Sequence, residues 1–309
     1  MRNALAKTLY ELAKEDSRII ILVADISPAG AMEDFRRDFP DRFYNLGVCE
    51  QSMIGLAAGL AQRGFRPFCY TIATFALFRA YEFIRCDLAY QNLSVTVVGM
   101  GAGLSYSTLG GTHQAIEDVA VAMACPNLTV LSPCDPQTTR ECVEWCARRG
   151  PEQGGPVYLR IGKAGEPDLT SHLPPRRHNA PRVVRSSSRI GLAAGTTLVL
   201  SYGPVASQAL KLAEKIDATM AVVTQLAGWP RSDPDRDADV DMAASYNSVI
   251  VVEEASGAPL AARLALYLNP FDTKIVSIAL PRAFPHMHGT RGELLDAAGL
   301  TVDKMYEVM

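Results

Sequence analysis

The strongest constraint in this sequence is a set of continuously apolar runs that cannot sit with one face in water. Ile19-Ile20-Ile21-Leu22-Val23-Ala24 ends in Asp25, and similar runs recur at Ser94-Val95-Thr96-Val97-Val98-Gly99, Leu128-Thr129-Val130-Leu131 and Val157-Tyr158-Leu159-Arg160. A half-exposed strand alternates apolar and polar residues, whereas a strand that is apolar throughout must be covered on both sides. Helix-period stretches separate these runs at 50–63, 77–90, 114–124 and 136–148, and Leu5, Leu9 and Leu12 form one stripe within 2–15. Such alternation specifies an α/β fold, a mostly parallel sheet covered by helices on both faces. Ligands of these sheets gather beyond the carboxyl ends of the strands, which places Asp25, Glu50, residues 71–75, residues 99–113 and Arg160 on one rim.

The texture changes over 163–189, where Pro174-Pro175-Arg176-Arg177-His178-Asn179-Ala180-Pro181 and Ser186-Ser187-Ser188 show no apolar period. This predicts a linker at 166–189 between a first domain at 1–165 and a second at 190–309. The second repeats the α/β pattern, with strands at 196–201, 220–224, 248–253 and 274–279 and helices at 204–215, 258–268 and within 290–308. The Pro- and Asp-rich stretch 229–241 reads as an exposed loop. A chain of 309 residues that is 48 % hydrophobic has the apolar mass for two such cores.

With 30 basic against 33 acidic residues the net charge is −3, so no basic field draws nucleic acid or an anionic membrane. The first residues spread their charges at helical spacing and no run reaches about 18 apolar residues, so a cytoplasmic protein is expected. The seven cysteines all fall between Cys49 and Cys146, mostly inside apolar elements, and read as reduced core thiols. Cys142 and Cys146 are four apart on a helix without a further His or Cys at ligand spacing, so no metal site is expected in this chain.

The chemistry concentrates in the first domain. Asn45-Leu46-Gly47-Val48-Cys49-Glu50-Gln51 turns from a short strand through Gly47 and opens a helix at Glu50. The helix dipole favours a carboxylate there while apolar neighbours oppose its charge, a combination suited to sharing a proton; the plain alternative is a carboxylate that only complements its first turn. Phe75, Phe78 and Tyr81 follow at successive i+3 steps, which fits either a core stripe or a slot for a flat heteroaromatic ring. The loop over 99–114 contains Gly99, Gly101, Gly103, Gly110 and Gly111, matches neither the Walker nor the dinucleotide pattern, and ends at His113, placed to face substrate.

Val48-Cys49-Glu50-Gln51 before an Ala/Gly-rich helix, Thr74-Phe75 with Phe78 and Tyr81, Gly111-Thr112-His113-Gln114 and the closing Gly299-Leu300-Thr301 together resemble the C-terminal half of transketolase. The resemblance runs nearly end to end and covers that family's pyrimidine-binding domain and small C-terminal domain. It implies that Glu50 hydrogen-bonds the aminopyrimidine of thiamine diphosphate and that Phe75, Phe78 and Tyr81 form the ring's pocket. It also implies that His113 faces the substrate, that Asp25 lies close to the cofactor, and that Arg160 binds a sugar-phosphate end.

The family's diphosphate-binding domain has no counterpart in this sequence, because no Gly-Asp-Gly followed by Asn is present to hold Mg²⁺. The resemblance therefore implies one subunit of a split transketolase. An N-terminal, diphosphate-binding partner would bring the Mg²⁺ ligands, and the two chains would associate as an α2β2 assembly acting on sugars. The sequence departs from the family near the sugar: Leu109 replaces an Asp, Gly111 a Pro, Ala29 a Ser, and an upstream His is missing near Gly101. An unphosphorylated or unusual sugar is thus expected. The β chain of a 2-oxo acid dehydrogenase and a non-catalytic α/β subunit are the competing readings.

Overall fold

The computed structural model describes residues 1–26, 31–149, 155–175, 178–188, 197–228, 238–269 and 271–309. The apolar runs form strands as expected: β1 (Ile19–Val23), β2 (Phe43–Asn45), β3 (Arg66–Ile72), β4 (Thr96–Met100), β5 (Thr129–Leu131) and β6 (Val157–Ile161). Helices α1 (Arg2–Glu15), α2 (Ala31–Asp38), α3 (Glu50–Gln62), α4 (Tyr81–Phe83), α5 (Asp118–Met123) and α6 (Pro136–Arg148) connect them. All five residues of β1 are buried because successive side chains feed opposite cores. Ile20 and Leu22 pack with Cys69, Val97 and Val130 under α3 and α5, while Ile19, Ile21 and Val23 pack with Phe68, Val98 and Leu159 under α1 and α6. Each large aliphatic side chain so buried contributes about 2 kcal/mol.

The chain continues through β7 (Arg182–Arg185), β8 (Thr197–Ser201), α7 (Ala206–Ile216), β9 (Thr219–Val222), β10 (Gln225–Ala227), α8 (Ala238–Ala244), β11 (Ser248–Ser256), α9 (Pro259–Leu268), β12 (Lys274–Leu280), α10 (Arg291–Ala297) and α11 (Val302–Glu307). Two mostly parallel sheets result, a seven-stranded one in the order β10-β5-β6-β4-β3-β1-β2 and a five-stranded one in the order β12-β11-β8-β9-β7.

Three expectations need correction. The 166–189 stretch is not linker throughout, since β7 pairs antiparallel with β9 at the sheet edge. Its flanking Arg and Ser residues masked a two-valine strand too short to show a period. Its earlier part is pinned by buried Asp135, whose Oδ2 accepts from the Leu169 N–H (3.0 Å) and the Thr170 hydroxyl (2.7 Å). The loop expected at 229–241 becomes helix from Ala238, with Asp239 and Val240 buried; residues 229–237, like Ala29, lie outside the described residues. The division at residue 190 is also crossed, because β10 adds antiparallel to β5 of the first sheet. Cys69, Cys125, Cys134, Cys142 and Cys146 are buried free thiols, with burial pushing Cys146 up to about 11, while Cys49 is exposed. No described helix is long and apolar enough to cross a membrane.

Candidate active site

Beyond β1 and β2 the chain is drawn together by Asn45, whose Oδ1 accepts from the Asp25 N–H (3.1 Å) and the Gly47 N–H (3.0 Å). Gly47 takes φ +70°, a left-handed turn that glycine adopts without steric cost, and the turn delivers Glu50 as the first residue of α3. Glu50 is only 1 % exposed. Asp25 is exposed on the rim beside this turn.

The Glu50 carboxylate is not alone. Arg79 Nη1 reaches both of its oxygens, at 2.9 and 3.1 Å, and the same guanidinium lies 4.3 Å from the centre of the Phe75 ring. Phe75 meets His113 edge-on at 5.2 Å, and Tyr106 also meets that imidazole edge-on, at 5.7 Å. Thr112 Oγ1 lies 2.8 Å from His113 Nδ1, and the Thr74 hydroxyl donates to the Thr112 carbonyl at 2.8 Å. Partial burial lowers the His113 pKa from its ordinary value, which favours the neutral imidazole. Glu50, Phe75 and His113, expected together from sequence, are thus contiguous.

Phe78 and Tyr81 leave this group. The backbone runs in wide i→i+5 turns over Phe75–Arg79 and again over Ile84–Ala89, which rotates residues three apart off a common face. Phe78 and Tyr81 pack against the core, and the Tyr81 hydroxyl donates to the Val121 carbonyl at 3.1 Å. Leu109 is half exposed at the outer edge of the glycine-rich loop.

Arg160, expected on the rim as a phosphate ligand, is wholly buried instead. Its Nε donates to Asp118 Oδ2 (2.8 Å), and its Nη2 donates to the carbonyls of Ala115 (3.1 Å) and Glu254 (3.0 Å). The Tyr158 hydroxyl donates to the same Asp118 oxygen at 2.8 Å. A guanidinium committed to an ion pair and two carbonyls, with no exposed atom, joins the two sheets and presents nothing to a solute. A second exposed cation, Lys163, stands three residues beyond Arg160, with Nζ 5.0 Å from the centre of the Tyr106 ring. It borders a cavity of about 250 Å³ shared with Ser105, Ser207 and Arg291. Arg79, Tyr106 and Lys163 are the residues that sequence reasoning passed over. Arg79 was accessible in principle, since it sits four residues after Phe75 on the same helical stretch; Tyr106 meets His113, and Lys163 meets Tyr106, only through the folded loop.

Among the described residues no group of three or more His, Cys, Asp or Glu side chains could hold a metal ion. The site offers a buried carboxylate, a planar cation, aromatic edges and an imidazole biased to its neutral form in one contiguous chain of contacts. These can grip a flat, nitrogen-bearing ring and a polar substrate beside it.

Residues 1–165 match the transketolase pyrimidine-binding domain, and the chain belongs to the transketolase family. It is 34 % identical over 168 residues to an apulose-4-phosphate transketolase subunit of Phocaeicola vulgatus, covering 54 % of this chain and 53 % of that one. It is 29 % identical over 257 residues to the 6-deoxy-6-sulfo-D-fructose transketolase subunit SqwH of a Clostridium species, covering 83 % and 76 % of the two chains. The aligned stretch spans about half the length of several of the curated relatives it matches. Among solved structures, a split gene transketolase described as an inactive β4 tetramer superposes with a TM-score of 0.81 at 30 % identity, over 99 % of this chain and 95 % of that one.

Proposed function

We propose that this chain is the C-terminal subunit of a two-chain, thiamine diphosphate-dependent transketolase that moves a two-carbon ketol unit between sugars. The observation that carries this reading is the buried Glu50 carboxylate at the start of α3, joined through Arg79 and Phe75 to His113 on one rim. The cofactor, when bound, supplies a carbanion that accepts and releases the ketol unit. Glu50 would hold a proton at a pyrimidine ring nitrogen, Phe75 and Arg79 would pack on the ring's plane, and neutral His113 would accept a hydrogen bond from a substrate hydroxyl.

The residues present fit one end of the cofactor. A diphosphate with Mg²⁺ needs several oxygen ligands; the relatives named as subunits and the split gene transketolase support a partner chain that supplies them, with the active site between chains in an α2β2 assembly. Both relatives described above are named for sugars with an anionic end, phosphate or sulfonate. For this chain Lys163 takes the role of pairing with such an end, in place of Arg160.

Reconstitution with the diphosphate-domain chain that co-elutes with it tests the proposal. Ketol transfer from a ketose to an aldose supports it, whereas lipoyl-coupled decarboxylation of a 2-oxo acid, or no turnover, overturns it. Calorimetry on the isolated chain should show no tight cofactor binding; micromolar, Mg²⁺-dependent binding without a partner would refute the shared site.

A further inference from the structure

The loop that carries Leu109 and His113 is tied at both ends to residues of the second sheet's side. At its start the Leu104 N–H donates to Glu254 Oε1 at 2.8 Å, and Arg291 pairs with the same carboxylate. Just past its end the Ser256 N–H donates to the Ile116 carbonyl. Between those ties the loop rests on Thr74 and Phe75 of the first domain, and its own Tyr106 packs against His113.

The loop also meets residues 281–289, which join β12 to α10. A Cβ added at Gly110 would lie 3.3 Å from His288 Cε1, and one at Gly111 would lie 3.4 Å from Phe284 Cδ1. Both rings therefore lie within van der Waals reach of the loop at these two glycines, the closer approach being His288 at Gly110. Core packing does not account for the position of Phe284. The side chain is 56 % exposed, although it borders an apolar cavity of about 270 Å³ lined by Ile116, Leu280, Met287, Leu294 and Ala298. A phenyl ring governed by burial alone would turn inward.

We propose that Phe284 and His288 are positioning residues of the substrate site: their contact with Gly111 and Gly110 holds the 107–113 loop, and His113 with it, against Phe75 and Tyr106. The second domain thereby forms the outer wall of the site. The inference rests on the reading of His113 as the substrate-facing group. A loop with adjacent glycines loses much backbone freedom when it is ordered, and contacts that order it beforehand leave less of that cost to be met on binding. The effect belongs in KM more than in kcat.

Amide hydrogen exchange on the isolated chain and kinetics on the reconstituted pair test this. In Phe284→Ala and His288→Ala the amides of 107–113 should exchange about tenfold faster, with the strands unchanged and Phe284→Leu near wild type. In the pair, Phe284→Ala should raise KM for the acceptor sugar about fivefold with kcat within about twofold. Unchanged exchange at 107–113 in both alanine variants, or equal acceleration throughout the chain, would overturn the proposal. Phe284→Leu and exposed His288→Ala keep the test open if Phe284→Ala folds poorly. A wild-type pair that moves no ketol unit refutes the proposed function, and the exchange result then still decides whether these rings hold the loop.

Discussion

Two carboxylate–guanidinium pairs stand at the carboxyl ends of the first sheet's strands, and they differ in what surrounds the arginine. In the Glu50–Arg79 pair the carboxylate side chain is 2 % exposed and the guanidinium side chain 42 %, so the cation has solvent to move into and the carboxylate can be released to another partner. In the Arg160–Asp118 pair both side chains are wholly buried, and the arginine also holds two carbonyls from different parts of the fold. One pair can exchange its partner for a ligand, and the other can exchange nothing without breaking the structure. Both pairs join the same two residue types, a carboxylate and a guanidinium, so the accessibility of the arginine separates a site from a strut.

Breaking the buried pair should have the largest effect. Arg160→Ala leaves Asp118 charged and buried, which typically costs 3–5 kcal/mol, and the denaturation midpoint should fall accordingly. The Asp118→Asn variant should also be destabilised, because it leaves the buried Arg160 guanidinium without a counter-ion even though the amide oxygen can still accept from Tyr158. Equal loss of activity toward all sugars at retained stability would show that Arg160 serves substrate after all.

Next in size is the open pair. Glu50→Gln fills the same space but cannot share a proton, so the reconstituted enzyme should lose on the order of 10²-fold or more in kcat while its melting temperature stays near wild type. Retention of half the rate would reduce Glu50 to a helix-end charge.

A smaller effect separates the buried arginine from the exposed lysine. Lys163→Met should raise KM for a phosphorylated or sulfonated ketose about tenfold and leave the matching neutral ketose nearly unchanged, since one exposed charge-assisted contact contributes about 1–1.5 kcal/mol. Steady-state kinetics on matched sugars checks it, and equal KM changes for both would remove Lys163 from the site. Leu109→Asp should also shift preference toward ordinary ketose phosphates, by about one decade in kcat/KM.

The smallest effect is acid–base. Burial depresses the His113 pKa below its unfolded value near 6.5, so the folded state binds fewer protons than the unfolded one. Stability attributable to this group is therefore present above about pH 6.5 and is lost as pH falls below it. Histidine-ring NMR should place the His113 midpoint below the unfolded value near 6.5, and a midpoint at or above that value would show that burial beside Phe75 and Tyr106 does not shield it.

Much of this molecule was legible from local pattern. The all-apolar runs of β1, β4 and β6 required a sheet covered on both sides, and the Gly47 turn into an Ala/Gly-rich helix placed Glu50 at a helix start. Those inferences succeed because periodicity and turn chemistry act over a few residues. β7 escaped because two valines between arginines carry no period, and β10 because its pairing to β5 spans nearly a hundred residues of chain. The stripe of Phe75, Phe78 and Tyr81 was visible as spacing, yet the wide helical turns sent only Phe75 to His113. The sequence by itself determined the strand–helix alternation, the helix-mouth carboxylate and the glycine-rich loop ending in His113. Only the tertiary structure decided that Arg160 is a strut, that Lys163 stands on the rim, and that Phe284 and His288 lie on Gly111 and Gly110. Burial and contact between residues distant in the chain are properties of the packed whole, and no local window contains them.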